Sequence, residues 1–351
     1  MDRCVTFLRL FVSSFSFLLI LHFASADAFG AGLCCQLAGG VEENVNGAYA
    51  PGAHELTAVL EWSFSDMDKL MQGTRETSAS DVAAQGRYMT IPTHMEMTRY
   101  TLSLAYGITP RLKVIASIPY VRNTMDMDMV MTDGMGMQML EPMSMEPVSG
   151  LGDVTLTALY RVYTNRRIRP NAALTLGLGV KTPTGSYTKK DPAEGTPTGF
   201  VHAHMQPGTG SWDPIVSLAY TRLMNPWLLG ADVNYQVATR NDEGYKFGDT
   251  FTSDLSAKYG VLPFLNLTGQ LTYLHSGRAT DDMGRYTNLT SVFDDPANTG
   301  EDSLWAAPGF EFVPLYNAGL TFKAQLPLWQ RVNGTQLVST YRLVTAVYYT
   351  F

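Results

Sequence analysis

The sequence predicts an all-β protein, a transmembrane antiparallel up-and-down β-barrel of about twelve strands. Three observations predict it: an export signal at the N-terminus, period-two alternation of apolar and polar residues in successive segments, and connections that alternate between short and long.

The export signal comes first. Arg3 and Arg9 bracket a short basic region, and an apolar stretch from Leu10 through Phe23 runs into Ala24, Ser25, Ala26, Asp27 and Ala28. This is the pattern of a secretory signal peptide over residues 1–28, cleaved after Ala26 or Ala28. An uncleaved anchor is the competing reading, but the apolar run is shorter than the ~20 residues a spanning helix needs. Residues 29–54 then form a periplasmic leader and residues 55–351 the barrel. No later window is apolar for long enough to be a membrane helix, yet the chain is 45% hydrophobic and only 16% charged. Soluble domains carry roughly 25% charge, so the apolar residues must be spread along strands that meet lipid. A net charge of −7 excludes nucleic acid as a partner, because phosphates need a basic face. Of the three cysteines, Cys4 leaves with the signal, while Cys34 and Cys35 stand side by side in the leader. That count excludes a disulfide framework. A bridge between the two neighbours, an intermolecular bridge, a soft-metal site and no dedicated role remain open.

The alternation is clearest in Tyr100, Leu102, Leu104 and Tyr106, interleaved with Thr101, Ser103 and Ala105. Leu112, Val114, Ala116, Ile118 and Tyr120 repeat it, as do Leu174, Leu176, Leu178 and Val180. One face meets lipid and the other lines a lumen. Carried along the chain, the pattern predicts strands near 55–64, 96–106, 111–122, 152–163, 170–182, 211–223, 227–239, 251–260, 265–276, 303–313, 317–326 and 339–351. The connections at 107–110, 164–170, 224–226, 261–264 and 314–316 are short, and those at 65–95, 123–151, 183–210, 240–250, 277–302 and 327–338 are long. Short periplasmic turns and longer outside loops are the layout of bacterial outer-membrane barrels, which places both termini in the periplasm. Tyr341, Leu343, Thr345, Val347, Tyr349 and Phe351 share one face of the last strand, so the chain stops on an aromatic residue. Such an ending resembles the signal read by the barrel assembly machinery, the expected protein partner. Tyr348 and Tyr349 are expected at the aromatic girdle.

Gly150 to Tyr160 (GLGDVTLTALY), Leu178 to Gly185 (LGVKTPTG) and Gln206 to Asp213 (QPGTGSWD) resemble an outer-membrane barrel family named for phenol meta-pathway transport. The resemblance covers roughly Met97 to Phe351 and implies passage of small molecules across the outer membrane. Read from the residues alone, the glycines allow close backbone approach, Pro183 ends a strand by removing a ladder donor, and the Pro207–Gly210 turn delivers Trp212 to the outer rim.

No catalytic constellation is present, neither a G-x-S-x-G elbow nor H-E-x-x-H, and the chain does not read as an enzyme. His54, His94, His202, His204 and His275 show no zinc-type spacing beyond the pair His202 and His204. The standout is 125–145, expected as a methionine-rich extracellular loop. Met125, Met127, Met129 and Met131 alternate, then Met135, Met137 and Met139 do so after Asp133-Gly134. Neutral soft sulfur binds Cu(I) or Ag(I), so these seven are candidate metal ligands, although no cofactor is required. The competing readings are adaptable apolar packing in the barrel mouth and biased sequence of no function. Alternation places Lys113, Arg161, Lys181, Lys323 and Arg342 on the polar face as lumen-lining candidates, free to set selectivity or to pair with inward acids such as Glu61 and Asp232. Three functions follow: a channel for small, including hydrophobic, molecules; a copper- or silver-binding surface protein; and a non-conducting structural barrel.

Overall fold

The computed structural model describes residues 52–133, 138–166, 170–191 and 196–351. The expected signal peptide, Cys34, Cys35, Met135 and Met137 lie outside the described residues. Twelve strands form the wall: β1 Leu56–Gln72, β2 Thr90–Gly107, β3 Leu112–Thr132, β4 Thr155–Thr164, β5 Ala172–Lys181, β6 Asp213–Met224, β7 Trp227–Gln236, β8 Thr250–Leu262, β9 Leu265–Ser276, β10 Glu301–Leu315, β11 Ala318–Val332 and β12 Thr335–Thr350. Each pairs antiparallel with the next. The sheet closes by pairing β12 on β1, from Thr57 opposite Thr350 to Gln72 opposite Thr335. Closure leaves no unpaired edge, the condition for crossing a membrane with strands.

The pleat explains which way each side chain points. On β3, Lys113, Ile115 and Ser117 are buried inside while Val114, Ile118 and Tyr120 are exposed outside. On β12, Arg342, Val344 and Ala346 are buried and Phe351 ends the chain outside, its N–H donating to the Leu56 carbonyl at 2.8 Å. The end with short turns carries aromatic pairs: Trp227 on Tyr259 at 4.7 Å, Phe264 on Phe312 at 5.9 Å and Tyr349 on Phe351 at 4.7 Å between ring centroids. Tyr349 thus sits in the girdle, but Tyr348 does not. One residue along a strand reverses the face, so Tyr348 is buried in the lumen with its hydroxyl 3.3 Å from Glu311.

Three of the connections predicted to be long differ in the structure. β1 continues to Gln72 and β2 starts at Thr90, so the predicted 65–95 connection shrinks to a short segment holding α1 (Ala79–Ala83). Ser78 caps this helix, its hydroxyl accepting from the Asp81 N–H. The predicted 327–338 loop is a tight turn at Asn333-Gly334, where Gly334 takes φ 60°. In the methionine-rich stretch 125–145, expected as a loop, residues 125–132 and 138–144 are strand. β3 runs on to Thr132, and Gln138–Ser144 returns beside it, from Asp126 opposite Ser144 to Thr132 opposite Gln138. Met125, Met127, Met129 and Met131 alternating with Asp126, Asp128, Val130 and Thr132 continue the period of two, so the strand extends to Thr132.

Candidate functional site

The strand extensions of β1, β2 and β3 enclose an apolar chamber, filled by packed side chains, at the long-loop end of the lumen. Met67, Met95, Met97, Met125, Met127 and Met205 are all buried in it. Val82 of α1, Ile91, Val201 and Leu337 fill the gaps, and Met143 and Met145 pack at its side. Thioethers on flexible stems fit irregular space and yield without breaking bonds. Met205 reaches the chamber from a 3-10 turn (Ala203–Met205) in the connection between β5 and β6, so this connection folds into the barrel.

The connections after β5, β7 and β9 close over the chamber as a plug. Tyr245–Lys246 and Thr280–Asp281 pair as a two-stranded clip, and Phe200, Tyr245 and Tyr286 form an aromatic cluster with centroids 5.1 and 5.2 Å apart. Burial pushes both tyrosine hydroxyls well above their ordinary range, helped by Asp294 beside Tyr245 and Glu243 beside Tyr286. Burial also depresses His204 to about 4, only partly opposed by Asp294. Its ring lies edge-on to Phe247 and Phe293. His202 Nδ1 and Asp294 Oδ1 meet at 2.5 Å, both buried. Tyr88 donates to Asp295 at 2.9 Å and accepts from Asn298, whose own Oδ1 accepts from Thr335 at the start of β12. These bonds tie the plug to the wall.

The three motifs that carried the family resemblance converge on one knot beneath the plug. Asp153 of GLGD is fully buried and accepts from Gly185 N at 2.9 Å, Thr209 N at 2.8 Å and Thr209 Oγ1 at 2.6 Å. Lys181 Nζ lies 2.6 Å from Asp213 and 3.7 Å from Asp153. Asp213 also accepts from Gln236 Nε2 at 3.1 Å and Thr239 N at 2.8 Å. Gly185 and Gly208 touch through bare backbone: a Cβ on Gly208 would sit 2.5 Å from the Gly185 carbonyl carbon. At Gly152 the wall is bulged. Leu151 faces Tyr120 and Thr155 faces Ser117, so one extra residue is accommodated there. The glycines were legible as close-approach positions. The role of Asp153 was missed, although an acid held in each of two glycine-rich motifs, with a lysine in the third, was the available signal.

Of the five predicted lumen cations, Lys113, Lys181, Lys323 and Arg342 are buried inside the barrel. Lys323 donates to Gln270 at 2.9 Å, and Arg342 stacks over Trp305 at 4.6 Å while reaching Ser65 and Ser339. Arg161 is half-buried near the short-turn end, with Nη1 3.4 Å from the Pro110 carbonyl. A pocket in this half is lined by apolar residues such as Leu228, Leu229 and Ala231 together with Asp232, Lys258, Glu311 and Lys323, with Lys258 and Glu311 paired at 3.0 Å. Glu61 is buried facing inward as well.

Of the seven candidate metal ligands, the five described ones do not share one site. Met125 and Met127 face into the chamber, but the alternation slips after Met127: Val130 is buried, and Met131 and its cross-strand partner Met139 are about half exposed on the hairpin. Met129 is half-buried. The nearest imidazole on these strands, His94, points to the opposite side from Met95 and Met97. Period two therefore separates sulfur from nitrogen donors.

The model of a family described as "Putative MetA-pathway of phenol degradation" matches residues 77–295, more than half of the chain. Among solved structures, the COG4313 outer membrane channel from Pseudomonas putida F1 superimposes with a TM-score of 0.59 at 16% identity, over 87% of this chain and 98% of that one. The Ralstonia pickettii toluene transporter TbuX gives 0.43 at 11% identity over 93% and 97% of the two chains. A Pseudomonas aeruginosa FadL homologue gives 0.40 at 11% over 86% and 93%. The first supports a shared fold; the other two are too distant to carry an argument. No curated protein matches the chain.

Proposed function

Because the chain belongs to the outer-membrane family described as the putative MetA-pathway of phenol degradation, we propose that it passes small hydrophobic molecules across the outer membrane, as a channel and not as an enzyme. The observation that supports the reading is the methionine-rich apolar cluster packed across the lumen under the plug, which a solute passes by displacing flexible side chains. An apolar solute entering it leaves water at a gain of about 25 cal/mol per Å² of apolar surface, and flexible thioethers make room for solutes of differing shape. Charge in the lumen favours the same reading. Lys258 is paired with Glu311, and Lys181 with Asp213 and Asp153. Paired charges set up no strong field of one sign to select an ionic solute. The likeness to an outer membrane channel supports passage over a purely structural barrel.

The test is uptake into proteoliposomes holding the full-length barrel, comparing a neutral monocyclic hydrocarbon with a sugar of similar size. Preferential hydrocarbon flux is expected, reduced at least tenfold by Met125→Lys combined with Met205→Lys in protein that still folds. Equal flux for both solutes, or no effect of the charges, would refute the reading.

A further inference from the structure

Two neighbouring strands bring Asp66, His94 and Glu96 together on the side of the wall facing away from the chamber, and a third sets Asp126 beside them. Asp66 on β1 lies directly opposite Glu96 on β2, and His94 lies opposite Asp126 on β3. The β2 bulge between Pro92 and His94 aligns the imidazole with both acids. His94 Nε2 is 2.9 Å from Asp66 Oδ1, and one donor atom from each of Asp66, His94 and Glu96 lies within 4.8 Å of the other two. The second ring nitrogen, Nδ1, is 3.6 Å from Asp126 Oδ2.

Two features set this group apart from an ordinary His–Asp pair. Like charges directly opposite on antiparallel strands repel, yet among the described residues no lysine or arginine forms an ion pair with Asp66, Glu96 or Asp126. The arrangement also approaches the two-layer form of a metal-bound histidine, in which one ring nitrogen ligates and the other donates to an orienting carboxylate, Asp126 lying just beyond hydrogen-bond reach at 3.6 Å. Imidazole with carboxylates is a donor set for a borderline divalent cation, whereas sulfur is the soft-metal donor and points to the other side of the wall here. Zinc ligands sit about 2.0–2.2 Å from the ion, hence roughly 3.3 Å apart in a tetrahedron, so the three side chains need only small rotamer shifts to close. The site also lies beyond the lipid-facing apolar band. Tyr100 and Tyr120, paired and exposed, mark the band's edge, and Glu96 and His94 lie four and six residues further along the strand.

We propose that Asp66, His94 and Glu96 bind one divalent transition-metal ion of the Zn(II) class on the outer wall of the barrel, with Asp126 as the positioning residue for His94. The ion neutralises the opposed acids and clasps β1 to β2 where they rise beyond the membrane.

The experiment is titration of the chelator-stripped, full-length barrel in detergent with Zn(II), and with Co(II) as a spectroscopic probe. One saturable Zn(II) per barrel is expected, resistant to excess Mg(II) and Ca(II) and lost below the pH at which His94 protonates. His94→Gln and Asp66→Asn should abolish binding. Asp126→Asn should weaken it about 10–100-fold, and Glu141→Gln, an exposed acid on the hairpin, should leave it unchanged. No saturable binding by the parent barrel overturns the proposal, as does retention by His94→Gln, displacement by Mg(II), or equal loss in Glu141→Gln. If His94→Gln does not fold, carbethoxylation of His94 in the parent barrel decides: Zn(II) must protect the ring, and modification at an unchanged rate overturns the assignment.

Discussion

Replacing Asp153 by alanine tests whether the knot of the three motifs holds the plug to the wall. The carboxylate accepts three hydrogen bonds, from Gly185 N, Thr209 N and Thr209 Oγ1. In the variant the Thr209 hydroxyl keeps a partner, because Ser211 Oγ is 3.0 Å away. The two backbone N–H groups do not, and each unmet buried donor costs about 1–3 kcal/mol. Lys181 retains Asp213 at 2.6 Å, so no lone cation is left behind. The sum is a loss of roughly 4 kcal/mol, within the range for breaking a buried charged network. Guanidinium unfolding in lipid vesicles, followed by tryptophan fluorescence and by the heat-modifiable gel shift, measures it; Trp212 adjoins the knot as a local reporter. A change below about 1 kcal/mol would show that the three motifs meet without supporting one another. Gly208→Ala approaches the same knot from the steric side. Its Cβ would meet backbone at 2.5 Å, so overpacking should cost about 1–3 kcal/mol with the charges intact.

Three further outcomes are expected. Lys181→Met leaves Asp153 and Asp213 as buried carboxylates without their shared cation and should cost about 3–5 kcal/mol, measured by the same unfolding assay; a loss below about 1 kcal/mol would refute the role of the pair. His204 has a folded value near 4 against an ordinary 6.5. Opened plug therefore binds more protons between these values, and plug stability present above pH 6.5 is lost as pH falls towards 4, with no further change below. Hydrogen exchange at 196–206 against pH reads this, and His204→Phe should flatten the profile; an unaltered slope in that variant would assign the effect elsewhere. Deleting Phe351, exposed at the girdle, should lower the amount of folded barrel in the outer membrane without lowering the stability of barrel refolded from denaturant; equal cellular levels would remove the C-terminal strand as an assembly signal.

The sequence by itself determined the barrel, the strand number and the lipid-facing side. These depend on a local period of two and on turn chemistry, which any stretch of ten residues displays: Val114, Ile118 and Tyr120 point outward whatever the rest of the chain does. It also marked the three glycine-rich motifs and most of the inward cations. Tertiary structure alone decided what these residues meet. Asp153, Lys181 and Thr209 are far apart in the chain, and only closure of the sheet and infolding of the β5–β6 connection bring them within hydrogen-bond distance. The methionines show the same division. Their spacing stated that alternate residues share a side, but not that β3 continues to Thr132, nor that Met67, Met95 and Met205 arrive from three other segments to bury Met125 and Met127. That outcome depends on where the pleat carries each side chain once the barrel has closed. It sends sulfur inward to an apolar chamber and the intervening Asp66, His94, Glu96 and Asp126 outward.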